Sequence, residues 1–247
     1  MEKYFDEYVN QYNLQIPEIK IKYDHSYRVM NLNEKYAKLL NFSKEDIQLA
    51  KLIGLLHDIG RFEQFTKYHS YVDLNTVDHA DYGVIQLFDE KLITKFTTNK
   101  NDYDIIKFAI KNHNKLSIPP TENKRALMHT KLIRDTDKVD IIYYLGRLKE
   151  HNYKADNTSL SKEVVEDIQN HRVIDRKNVK TNNDNIAIAF AFAFDVYNDI
   201  ALEDMKRNLK YYYEQIEDCY GIFKDIYLEV NKYINDRLNE RRNENVR

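Results

Sequence analysis

A single cysteine, Cys219, excludes an internal disulfide and gives no support for an oxidising compartment. Three prolines and five glycines in 247 residues leave few punctuation points for turns, so long helices and little sheet are expected. Long apolar runs are also missing. The longest, "IAIAFAFAF" at 186–194, is far too short to cross a bilayer. The opening "MEKYFDEYVNQYN" is charged and amphipathic, with no apolar signal-peptide segment. These absences predict a soluble, cytoplasmic protein with no membrane partner. Neither sign of charge is in excess: the net charge is −2, so nucleic acid is not favoured as the main partner. The basic C-terminal stretch "RLNERRNENVR" is interleaved with Glu and Asn and reads as a solvated tail.

What is present is a globular composition, 43% apolar and 32% charged. Helical periodicity dominates. Helices are expected at about 2–13 and, after an interruption at Pro17, at about 24–40. A third opens on "NFSKED", with Ser43 as N-cap and Asp46 three residues on, and stops near Gly60. Residues 61–77 read as irregular. Asp78 and Asp102 are each expected to cap a further helix, the first reaching about Lys91. "IPPTEN" precedes a long helix at about 122–150. After residue 150 the pattern weakens. "SKEVVEDIQ" reads as a short helix, the Ala/Phe run as a buried helix, and 200–240 as helical. The expected fold is all-α, with a helical core in 1–150, its motifs within 20–150, and residues 151–247 as a helical extension capping it.

Several polar residues sit where apolar ones belong. His57 continues the stripe Leu49–Ile53–Leu56, His113 ends Ile106–Ala109–Ile110, and His25 begins a stripe carried on by Val29 and Leu32. Asp137 lies one turn from both Ile133 and Ile141. An ionised, unpaired carboxylate in such a place costs several kcal/mol. One such residue is usually a satisfied core polar group. Several on successive helices, all His or Asp, point to a shared divalent metal, because neutral imidazole and carboxylate oxygen are both ligands. At a helix end the backbone can turn His57 and the adjacent Asp58 toward one centre.

"HSYRV", "LLHDIGR" and "RDTDKVD", taken in order, resemble the HD-domain metal-dependent phosphohydrolase superfamily, over about residues 20–150. The resemblance implies a helical-bundle core and His25, His57, Asp58 and Asp137 as metal ligands. Asp135 and Asp140 are alternatives for the last; "TDKVD" aligned with the family's closing element favours Asp137. In two-metal members two further histidines complete a second site, here His79 and His113, with Asp58 as the bridge. "HNKLSIPP" departs from the Gly-Tyr-Pro signature of the cyclic-dinucleotide branch, so that substrate does not carry over. The resemblance implies two divalent ions among Mn, Fe, Co, Ni or Zn. They would support hydrolysis of a phosphomonoester or phosphodiester of a nucleotide or similar metabolite through a hydroxide held between them. Two alternatives stand beside it: a di-iron oxygenase of the same fold, and a non-catalytic metal- or ligand-sensing module.

Around this set, Arg61 is expected to clamp phosphate, since its planar guanidinium suits that task and stays charged. Arg28, one turn past His25, would bind phosphate or brace a carboxylate. His129 is expected in core packing, and His69, His151 and His171 at the surface. Asp73 and Asp195 are acids that could approach the site from loop and cap.

Overall fold

The computed structural model describes residues 1–149 and 153–244, with side chains as far as 241. The predicted surface position of His151 therefore falls outside the described residues. The α-helices are α1 (Glu2–Val9), α2 (Pro17–Leu39), α3 (Lys44–Leu56), α4 (Gly60–Tyr68), α5 (His79–Val84), α6 (Tyr103–Asn112), α7 (Lys124–Tyr143), α8 (Lys162–Gln169), α9 (Asn182–Ala191), α10 (Asp199–Glu214) and α11 (Ile222–Glu244). Two dipeptide strands, β1 (Tyr153–Lys154) and β2 (Ile216–Glu217), pair in parallel. The fold is all-α. No described helix is long and apolar enough to cross a membrane.

The chain divides into two compact units, Met1–Asp137 and Lys138–Arg247, and α7 carries the backbone from one to the other. In the first unit α2 packs along α3. A Cβ on Gly54 would lie 2.9 Å from the Met30 Cα, so only glycine lets the two backbones come this close. Leu52, Ile53, Leu55 and Leu56 of α3 are buried with Val29 and Met30 of α2, Ile106 and Ile110 of α6 and Ile133 of α7. Each such side chain contributes about 1.5–3 kcal/mol through burial. A polar link is embedded in this core: Asn33 donates to the Ala50 carbonyl (2.9 Å) and accepts from the Thr136 hydroxyl (2.6 Å).

Several boundaries differ from expectation. Pro17 opens α2 instead of interrupting it, because proline's missing N–H and fixed φ suit the first helical position. The first helix ends at Val9. Gly60 begins α4 within the stretch expected to be irregular. Its role is close approach: a Cβ there would stand 2.3 Å from the His79 carbonyl oxygen and 2.8 Å from the Gly83 nitrogen. The break falls instead on the turn 57–59. Ser43 and Asp78 cap as expected, each accepting from backbone N–H groups of its helix. Asp102 makes no side-chain cap to α6; its carboxylate accepts from Arg125 and Asn99. The helix from Asp78 continues past α5 as a wider π-type turn, Ile85–Asp89, and α7 likewise passes into Tyr144–Leu148.

In the second unit the Ala/Phe run is helical and buried through α9. The Phe190 ring stacks on Phe223, and the Tyr212 hydroxyl donates to the Ile186 carbonyl. Asp195 forms a buried ion pair with Lys138 (2.7 Å) and accepts from the Tyr197 hydroxyl.

Candidate metal centre

His25 lies mid-way along α2, His57 and Asp58 occupy the turn between α3 and α4, His79 opens α5, His113 follows α6, and Asp137 lies on α7. All six belong to the first unit and converge. The Nε2 atoms of His25 and His57 are 3.1 Å apart, and those of His79 and His113 also 3.1 Å. Asp58 stands between the pairs. Its Oδ2 is 3.6 Å from His25 Nε2 and 3.8 Å from His57 Nε2; its Oδ1 is 3.2 Å from His79 Nε2 and 3.5 Å from His113 Nε2. Asp137 Oδ1 lies 3.1 Å from His25 Nε2 and 3.6 Å from His57 Nε2. Asp137 thus reaches the cluster, as the apolar stripe suggested; Asp135 and Asp140 are buried nearby in sequence. Asp137 is also the most open of the six, with 13% of its side chain exposed.

The adjacent pair converges because the helix stops just before them. Arg61 N–H donates to the Asp58 carbonyl and Ile59 N–H to that of Leu56, a tight turn that lets successive side chains face one point. On an uninterrupted helix they would diverge by about 100°.

Three of the four rings have a defined Nδ1 partner. His57 Nδ1 donates to the Gly54 carbonyl (2.8 Å), His113 Nδ1 to the Ile110 carbonyl (2.7 Å) and His79 Nδ1 to Asp73 Oδ2 (2.7 Å). Carbonyls and carboxylates only accept, so these rings carry their proton on Nδ1 and turn an Nε2 lone pair inward. Burial, foremost, pushes the His113 imidazolium down to about 4, which leaves the ring neutral near pH 7. Burial alone would raise the Asp58 carboxyl, but the Lys22 ammonium and the imidazoles around it hold it well below the usual carboxylate range. Asp137 is likewise held well below that range, against its burial, by His25 and His57. Lone pairs and anionic oxygens about 3 Å apart repel one another unless a cation lies among them. The donor set, nitrogen and carboxylate oxygen without thiolate, fits a divalent metal. Among the described residues, the triads His25–His57–Asp58, His57–His113–Asp137 and Asp58–His79–His113 each offer donor atoms within 4.8 Å of one another.

Charged groups surround the cluster. Lys22 Nζ donates to Asp58 Oδ2 at 2.7 Å, a contact the sequence reading missed. Its signal was available, since Lys22 precedes His25 by three residues and shares its face of α2. Arg61 approaches the other oxygen: its Nε is 3.7 Å from Asp58 Oδ1, while Nη1 donates to Asp73 Oδ1, to the Gln64 side chain and to the Tyr71 carbonyl. Arg28 is half-buried one turn beyond His25. His129 is buried against Asp46 (2.9 Å) and the Phe42 ring, in the core as expected. His69 and His171 are exposed.

The family model described as HD domain matches residues 23–145, about half of the chain and all six convergent residues. No curated protein and no solved structure matches the chain.

Proposed function

Since the chain belongs to the HD domain family, whose members bind divalent metals and are mostly hydrolases, we propose that it is a two-metal phosphohydrolase acting on a phosphate ester of a nucleotide or similar small metabolite. His25, His57 and Asp137 would hold one cation and His79 and His113 the other, with Asp58 available to both. The observation that carries this reading is the division of the Asp58 carboxylate, with Oδ2 facing one histidine pair and Oδ1 the other. Bound cations of this kind supply Lewis acidity and a water nucleophile usable at neutral pH. Mn, Fe, Co, Ni and Zn all suit the donors.

The chain's own groups do the rest. Asp58 and Asp137 offset the metal charge. The Nδ1 hydrogen bonds of His57, His79 and His113 fix the orientation of those imidazoles. Lys22 and Arg61 place positive charge on either side of Asp58, where a phosphoryl group would be drawn and its developing charge stabilised. Arg61 acts through its charge and Nε, because Nη1 is engaged by Asp73. Residues 1–150 form the proposed metal-binding core and 151–247 a helical extension.

The test is metal content by mass spectrometry on protein purified without chelator, followed by a panel of phosphomonoesters, phosphodiesters and nucleotides assayed with Mn²⁺. About two metals per chain and phosphate release that vanishes in Asp58→Ala are expected. Iron with oxygen uptake and no phosphate release would replace this reading with the di-iron oxygenase. Tight binding without turnover would replace it with the sensing module.

A further inference from the structure

The three histidines whose Nδ1 partners are defined are not equivalent. His57 and His113 donate to backbone carbonyls three residues earlier, Gly54 and Ile110. His79 cannot, because it is the first residue of α5 and has no preceding turn of helix. Its Nδ1 instead meets the carboxylate of Asp73, from the irregular segment before α5, at 2.7 Å. That carboxylate is itself fixed. Oδ1 accepts from Arg61 Nη1 (2.8 Å) and from Gln64 Nε2 (2.9 Å), and Gln64 is fully buried, donating also to the Thr76 hydroxyl and the Val77 carbonyl. The segment 73–77 is thus tied to α4 through side chains that converge on one anion.

We propose that Asp73 is a positioning residue for one half of the centre: its charge, held by Arg61 and Gln64, fixes His79 with Nε2 inward and strengthens that nitrogen as a donor. The two cation positions are therefore unequal, and the one on the Asp58 Oδ1 side depends on Asp73. A carboxylate behind a ligating imidazole raises its basicity, and removing such a partner typically weakens metal binding about 10–100-fold. This inference rests on the two-cation reading above.

The experiment is calorimetric titration of the chelator-stripped full chain with Mn²⁺, for wild type, Asp73→Ala, Asp73→Asn, His79→Ala and the Asp73→Ala/His79→Ala double variant. Wild type should bind in two steps. Asp73→Ala should weaken one step about 10–100-fold and leave the other unchanged. Asp73→Asn, which keeps an acceptor but loses the charge, should fall between. The double variant should match His79→Ala alone, because the effect of Asp73 on the cation is exerted through His79. Two unchanged steps in Asp73→Ala would overturn the role of Asp73, as would equal weakening of both steps or a further loss in the His79→Ala background, which would mean that Asp73 merely holds the fold. A wild-type protein that binds one Mn²⁺ or none would instead overturn the two-cation reading itself.

Discussion

Lys22 and Arg61 approach Asp58 from different oxygens, and they invite different substitutions. Lys22→Met removes the nearer cation, 2.7 Å from Oδ2, without touching an imidazole. A hydrogen bond to a charged group contributes about 1.5–3 kcal/mol, so the variant is expected to lower kcat/KM for a phosphate ester about tenfold or more. Steady-state kinetics on the best substrate of the panel checks this; an unchanged kcat/KM would remove Lys22 from that role. Asp58→Ala removes the shared carboxylate and should lower kcat/KM at least about a hundredfold, the scale on which a single stabilising group at a reacting centre acts. Residue identity was the most legible level. His25, His57, Asp58, His79, His113 and Asp137 were named because polar groups interrupt apolar stripes or match a motif, and the structure brings all six together. Lys22 escaped because a lysine on an amphipathic helix is ordinarily a solvated side chain.

At the scale of elements, the junctions matter most. Gly60 lets α4 pass against the start of α5, and Gly60→Ala forces a Cβ onto the backbone of His79 and Gly83. Neither atom belongs to a flexible side chain. Overpacking of this kind costs about 1–3 kcal/mol, and the displacement falls on His79 itself. Thermal melts and Mn²⁺ titration of the variant should both register it; a wild-type melting temperature would refute the close approach. A second junction joins the start of α3 to α7: Asp46 accepts from Arg125 Nε (2.6 Å) and His129 Nε2 (2.9 Å). Burial raises the Asp46 carboxyl, but these donors and Ser43 more than offset it and hold it below its ordinary value. A depressed carboxyl adds stability above its unfolded pKa, about 3.9, and loses it as pH falls through the folded value. Asp46→Asn should therefore cost about 1–3 kcal/mol at pH 7, and the gap should close progressively below about pH 4. Denaturant unfolding at pH 7 and pH 3 measures it, and a gap that widens in acid would contradict the ion pairing.

For the whole molecule, the centre concentrates inward-facing lone pairs and two carboxylates within one helical unit. Anything that binds there and not to the unfolded chain stabilises the fold, by about 2.7 kcal/mol at a ligand concentration a hundred times Kd. Chelator-stripped protein should therefore melt several degrees lower than protein with saturating Mn²⁺, and the difference should vanish in Asp58→Ala. Differential scanning fluorimetry reads both; equal melting with and without metal would argue against a cation centre.

Periodicity and scarce Gly and Pro were enough to determine an all-helical protein, and misplaced histidines and acids, read with the resemblance to HD-domain proteins, to name the candidate residues of its centre, because helix formation and the cost of a stray buried charge are local properties of a chain. The tertiary structure alone decided that the break in the chain falls at 57–59, with Gly60 serving close approach and not a helix end. It alone brought Lys22 to Asp58 and turned Arg61 toward Asp73. These are contacts between segments up to 36 residues apart, and no pattern within a helix records which neighbour its outer face will meet.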